Sequence, residues 1–367
     1  MAHVSLERHK LPGRLGDPDM DLRSDPRLNP KVLKALETLG LDRNNPQSDL
    51  TSKSSIEDLT PLMEQLDVAF CTLYDTIQID LPGDESEPQV ERTTKIIKGP
   101  DNNDIMLYVH RRADASDEAL PCVIYTHGGG MTFLSTANKV HFRWCTSLAI
   151  AGVVSIAVDF RNAYTKEGRN PFSTGLNDCA AAVRYIASHK SEFRIGKVIT
   201  QGESGGANLA LAIALKAKQE NWINEIAGVY ACAPFISNLW NMTREQALKE
   251  LPSILENDQY LLGVRSMDAH AAYYTHTENT ADPLAWPYHA TVEDLKGLPP
   301  HHLLMDELDP LRDEGIAYYR KLLAAGVSVV GNINLGVVHA TSLIFRQAVP
   351  EVHNSVVQSI AAFARGL

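Results

Sequence analysis

The sequence predicts an α/β fold, a mostly parallel central sheet flanked by helices. Short Val- and Ile-rich apolar runs recur beyond about residue 90, and segments with apolar residues at helical spacing separate them. The runs are apolar throughout rather than alternating, as strands buried on both faces are. At 367 residues the chain exceeds the roughly 150 of an ordinary domain, so an elaborated core with additions is expected.

Taken in order, residues 1–90 carry two helical patterns. Val32, Leu33, Leu36 and Leu39 form the first; Ile56, Leu59, Leu62, Met63, Leu66, Phe70 and Leu73 form the second. Ser54 followed by Glu57 reads as a capping box at the start of the second. The stretch Leu81-Pro-Gly-Asp-Glu-Ser-Glu-Pro88 is acidic and rich in breakers, so it reads as a linker between an N-terminal helical segment, 1–90, and a larger unit, 91–367. Strands are expected at 105–109, 122–125, 153–158, 197–200, 226–232, 302–305 and 327–333. Helices are expected at 138–150, 174–189, 207–219 and 311–325, which implies right-handed crossovers in a doubly wound sheet. From about 236 to 290 no strand run occurs. Helical pieces with Trp and Tyr fill that interval, which reads as an insertion over the strand ends where ligands bind.

Composition narrows the partner. A formal net charge of -11 repels phosphate backbones and anionic lipid heads, so nucleic acid and membrane surfaces are excluded as partners. Cys71, Cys122, Cys145, Cys179 and Cys232 are scattered and form no CxxC pair, which speaks against a zinc cluster or a disulfide framework. The first residues contain no apolar signal core and no later stretch is long enough to span a bilayer, so a cytoplasmic protein is expected.

Two glycine motifs carry the chemistry. Gly202-Glu-Ser-Gly-Gly206 lies between an expected strand and a small-residue helix. A nucleophilic serine needs such a sharp strand-to-helix turn, with glycine where a Cβ would clash, and the helix N-terminus favours developing negative charge. His127-Gly-Gly-Gly130 closes an earlier strand, and its exposed N–H groups suit half of an oxyanion hole. No phosphate-loop or dinucleotide fingerprint occurs, so a nucleotide cofactor is not expected.

Chain order then selects the partners of Ser204. The base follows the acid-bearing strand, which leaves His339 and His353 among the thirteen histidines. His353 falls in a terminal helical pattern, whereas His339 follows the last strand in a loop. His127 and His141 read as loop-bracing or core residues. For the acid, Asp306 and Asp309 both follow the strand at 302–305. Pro310 fits a first helical turn and would leave Asp309 at or near the N-cap, in the loop, so the pattern favours Asp309 while leaving both open.

These motifs, with Asp309-Pro-Leu-Arg-Asp-Glu314, resemble the hormone-sensitive-lipase family of α/β-hydrolase carboxylesterases over about residues 90–367. The resemblance implies an α/β-hydrolase fold with Ser204 as nucleophile, His339 as base and Asp309 as acid. It implies an oxyanion hole from the N–H groups of Gly129, Gly130 and Gly205, and a helical cap made by the N-terminal helices and the insertion. After the next strand the chain has Asp159-Phe-Arg-Asn-Ala-Tyr-Thr165 where the family often has Asp-Tyr-Arg-Leu-Ala-Pro-Glu. Asp159 and Arg161 are retained as a pair able to brace the oxyanion loop, and the Pro-Glu turn is not. The expected activity is hydrolysis of small to medium apolar esters, lactones included, without metal or organic cofactor. Amide or peptide cleavage by the same triad, or a non-catalytic small-molecule receptor, are the alternatives, and a homodimer is left open.

Overall fold

Strands β1 (Val90–Lys98), β2 (Asp104–Arg112), β3 (Leu120–Thr126), β4 (Val154–Asp159), β5 (Ile195–Glu203), β6 (Gly228–Cys232), β7 (His301–Asp306) and β8 (Val329–Asn334) join in one sheet. Their spatial order is β1-β2-β4-β3-β5-β6-β7-β8. The computed structural model describes residues 11–115, 118–275 and 279–367. The first ten residues of the expected N-terminal segment, and 276–278 in the expected insertion, lie outside the described residues.

From β4 onward every pairing across the sheet is parallel, whereas β2 runs antiparallel to both β1 and β4. The run at 105–109 is therefore a strand but not a parallel one. Strand β1 was not expected from the sequence. Its residues Val-Glu-Arg-Thr-Thr-Lys-Ile-Ile-Lys are mostly exposed at the sheet edge, so they form no apolar run. At the opposite edge β8 is also largely exposed.

The longer helices are α1 (Pro30–Leu39), α2 (Ile56–Thr76), α3 (Lys139–Ile150), α4 (Thr174–Ser188), α5 (Gly205–Gln219), α6 (Arg244–Glu250), α7 (Val264–Tyr274), α8 (Arg312–Ala324) and α9 (Pro350–Gly366). Successive strand residues point to opposite faces, and the buried residues divide accordingly. Ile124, Val198, Val229 and Leu303 pack with Val183 of α4, Leu211 of α5 and Leu322 of α8. Val123, Ile199, Tyr230 and Leu304 pack with Trp144 of α3 and Ile360 of α9. Helix α1 joins this second core through Val32 and Leu36.

Helix α2 starts one residue later than the capping box implies. Ser55, not Ser54, accepts the Asp58 N–H at 3.1 Å, while Ser54 Oγ accepts from the Thr51 N–H. Both serines have an acid three residues on, so the pattern alone could not set the register. The acidic stretch 81–88 is tied to the body: Arg346 donates to both Asp84 carboxylate oxygens at 2.6 Å, and Arg143 reaches Glu87 at 2.8 Å. Between 236 and 290 the described residues form α6, the short helix Ser253–Glu256 and α7, with no strand. Tyr273 and Tyr274 lie in α7, whereas both tryptophans lie outside these helices: Trp240 stacks on Phe235, and Trp286 meets both edge-on.

Candidate active site

The turn from β5 into α5 holds Ser204 at φ 54° and ψ -121°, a conformation that non-glycine residues rarely adopt. A Cβ on Gly202 would meet the Gly206 carbonyl at 2.3 Å, and one on Gly206 would meet the Thr126 carbonyl at 1.9 Å. Only glycine at both positions lets the elbow pack against the end of β3. A Cβ on Gly205 would lie 2.7 Å from the Gly130 nitrogen, so the start of α5 and the glycine loop after β3 are in backbone contact. In that loop Gly129 and Gly130 have φ of 89° and 60°.

His339 is buried in the loop after β8, and its Nδ1 donates to Asp309 Oδ2 at 2.7 Å. The other carboxylate oxygen of Asp309 accepts the Leu311 N–H at 2.9 Å. Burial works against a charged imidazole at His339. The adjacent Asp309 charge and hydrogen bond outweigh it and hold the group above the ordinary histidine value. Asp306 is buried nearby, but its carboxylate accepts from Asn334 Nδ2 at 3.0 Å and makes no hydrogen bond to His339. Burial, helped by the Asp309 charge, pushes the Asp306 carboxyl up to about 7.

Two local expectations are corrected. Helix α8 begins at Arg312 with Leu311 as its N-cap, so Pro310 is not in the first helical turn, and Asp309 lies in the loop two residues before the cap. Asp309 instead closes a turn, its carbonyl accepting the Arg312 N–H at 3.1 Å. Arg161 does not pair with Asp159. Its guanidinium clamps Asp178 at 2.8 Å and reaches Asp101 at 2.7 Å. The segment after β4 braces the glycine loop through its backbone, Ala163 N–H to the Met131 carbonyl and Tyr164 N–H to that of Thr132, both at 2.9 Å.

Sequence reasoning passed over Glu203, the residue before Ser204. Its buried Oε1 accepts the Gly128 N–H at 2.7 Å and the Tyr125 hydroxyl at 3.0 Å, tying the elbow to the glycine loop. Burial pushes this carboxyl up to about 8. His353 and His127 make no hydrogen bond to Ser204, Asp309 or His339. His353 is held by the Ser342 carbonyl and Ser147 Oγ, and His127 stacks between His141 and Phe160. Burial lowers both His127 and His353 to about 4.

Ser204 and His339 line one cavity of about 570 Å³. Its other walls include Leu66, Phe70 and Leu73 of α2, Met267 and His270 of α7, and Phe133 after the glycine loop. The five cysteines are free thiols, four of them buried. Among the described residues no helix is long and apolar enough to cross a membrane.

A family model described as alpha/beta hydrolase fold matches residues 123–343, from β3 through the loop that bears His339. The chain belongs to the α/β-hydrolase family. Within it, the Tyr125–Met131, Asp159–Ala163 and Asn257–Tyr260 segments resemble bacterial brefeldin A esterase, and structure agrees. Brefeldin A esterase, a bacterial homologue of human hormone-sensitive lipase, is 44% identical, with a TM-score of 0.95 over 97% of this chain and 98% of its own. Esterase Est22 is 32% identical at a TM-score of 0.82, over 94% of this chain and 99% of its own. Among curated relatives, esterase LipI and carboxylesterase NlhH of Mycobacterium tuberculosis are each 30% identical. Their alignments cover 68% of this chain and 74% of theirs. This α/β-hydrolase is thus a serine carboxylesterase of the hormone-sensitive-lipase family.

Proposed function

We propose that this carboxylesterase hydrolyses small to medium apolar esters, lactones among them, through Ser204, His339 and Asp309 and an acyl-enzyme intermediate. One observation supports this most: a serine on a strained elbow shares a cavity with a buried histidine whose far nitrogen is held by a carboxylate. In this reading His339 takes the Ser204 proton as Oγ attacks the carbonyl carbon, and Asp309 fixes the tautomer and stabilises the imidazolium. The protonated His339 then gives its proton to the leaving alcohol. Water repeats the sequence from the acyl-enzyme and frees the acid.

The N–H groups of Gly129, Gly130 and Gly205 take the developing oxyanion. Glu203 orients them through its hydrogen bond from Gly128. A carboxylate beside the oxyanion would oppose it; held as an acid near neutral pH, Glu203 braces the loop without adding that charge. The helices of residues 1–90 and 236–290 act as a cap, lining the cavity with apolar side chains that favour an apolar acyl group or ring. The scheme needs no cofactor.

The test is covalent labelling. An organophosphate or sulfonyl fluoride should modify one serine, mapped by peptide mass to Ser204, with loss of ester hydrolysis in step with labelling. An adduct elsewhere, or an ester-hydrolysing Ser204→Ala variant, would overturn the reading.

A further inference from the structure

In a cavity walled mostly by apolar side chains, helix α7 contributes two polar groups. Ser266 and His270 are one helical turn apart, so they share the face that lines the cavity. Neither side chain makes a hydrogen bond among the described residues. His270 Nε2 is buried without a partner, and the ring is held edge-on against Phe133 at 5.2 Å. Its Nδ1 lies on the cavity side, where a Cβ placed on Gly130 would be 3.7 Å away.

Burial lowers His270 to about 4, so the ring is neutral at pH 7 and carries a single N–H. Placed on Nε2, that proton would be a buried donor with no acceptor; placed on Nδ1, it faces the cavity where a ligand oxygen can accept it. The pair thus offers one N–H and one hydroxyl on the α7 side of the cavity, beside the apolar Met267. A purely apolar ester leaves both unpaired, whereas an ester with a second oxygen satisfies them.

We propose that Ser266 and His270 form a polar subsite that selects esters bearing a hydroxyl or keto oxygen near the scissile carbonyl, at the α or β carbon of the acyl group. The acyl side follows from position. The leaving alcohol must reach His339, while His270 packs beside Gly130 and Phe133 on the oxyanion-loop side. This inference rests on the catalytic reading above, with the oxyanion bound at the glycine loop.

The experiment compares kcat/KM for ethyl 3-hydroxybutanoate and ethyl butanoate, which differ by one oxygen. The intact enzyme should prefer the hydroxy ester by about tenfold. His270→Leu should bring the ratio close to one, mainly by raising KM for the hydroxy ester, and Ser266→Ala should lower it part of the way. His270→Gln, which keeps an N–H donor, should recover part of the preference. Circular dichroism and melting of each variant separate lost recognition from lost folding. An intact enzyme that does not prefer the hydroxy ester, or a ratio unchanged in folded His270→Leu, overturns the subsite. Ser204→Ala is the control that keeps the two claims apart. If it is inactive the subsite alone has failed, whereas if it hydrolyses both esters the catalytic reading has failed first.

Discussion

The strand-end side of the cavity and its helical side are stabilised differently. On the strand-end side Ser204, Glu203, Asp309 and His339 hang from the ends of β5, β7 and β8, and each of the three ionisable groups is buried with a specific hydrogen-bond partner. On the helical side Leu66, Phe70 and Leu73 of α2 are only half-buried and meet the cavity through apolar contact. A buried polar group that loses its partner bears the full desolvation penalty, while an apolar wall loses only part of its contact area. Changes on the first side should therefore act on the chemical step, and changes on the second on which ester binds.

The largest effect expected from that contrast is at Ser204. Ser204→Ala should lower kcat by about 10⁵-fold or more with the melting temperature nearly unchanged, measured on an aryl ester. Next comes Asp309→Asn, with a loss of about 10⁴ in kcat. An asparagine oxygen can still accept the Leu311 N–H, which turns the amide NH₂ toward His339 and favours the tautomer protonated on the wrong nitrogen. Asp306→Asn should cost less than about tenfold and lower the melting temperature by a few degrees, since its partner is Asn334. A folded Asp306→Asn variant that loses more turnover than Asp309→Asn would reverse the two roles.

The same contrast governs what could be read in advance. Ser204 and the glycines around it stand in a motif whose steric reason is local, because a Cβ at 202 or 206 would strike backbone. Strands β3 to β7 announce themselves by being buried on both faces. Strand β1, a polar edge, gives no such signal. Asp306 and Asp309 lie three residues apart in one loop, and only the path of β8 into the His339 loop brings one of them within 2.7 Å of the imidazole. The family motif keeps Asp159 and Arg161 as a pair, but the partner of Arg161 is Asp178, which comes from another element that the motif does not contain. Glu203 hid inside the motif itself, as the residue whose identity the elbow's sterics leave open.

A pH profile sharpens the comparison on the polar side. As the proposed base, His339 must be neutral to accept a proton, so activity should fall as pH drops through its pKa. Because Asp309 holds that pKa above the ordinary value, the acid limb of kcat/KM should lie above about 6.5. Asp306 titrates near 7, in the same window, so the limb should also be read in Asp306→Asn. It should shift down slightly there, because the Asp306 charge also favours the imidazolium, and move down furthest when Asp309 is replaced, since the Asp309 charge and hydrogen bond contribute most. A limb that is lost in folded, active Asp306→Asn would assign the titration to Asp306 instead of His339.

The smallest effect is on the helical side, and there the choice of variant decides whether the result has meaning. Removing the first 45 residues would take away Leu22, Val32 and Leu36, all fully buried, and the Asn29 N–H bond to the Gly336 carbonyl next to the His339 loop. Such a deletion confounds recognition with folding. Phe70→Ala avoids this, since Phe70 is half-buried and stacks on Phe133 at 5.2 Å within the cavity. A long acyl chain that contacts the ring loses part of the roughly 1.5–3 kcal/mol that a fully buried aromatic contributes. KM for an octanoate ester should rise about fivefold, while KM for the acetate ester, too short to reach the ring, and kcat for both should stay within about twofold. Equal losses on acetate and octanoate would mean that α2 supports the fold of the polar side rather than shaping the substrate, and the division between the two sides of the cavity would then fail.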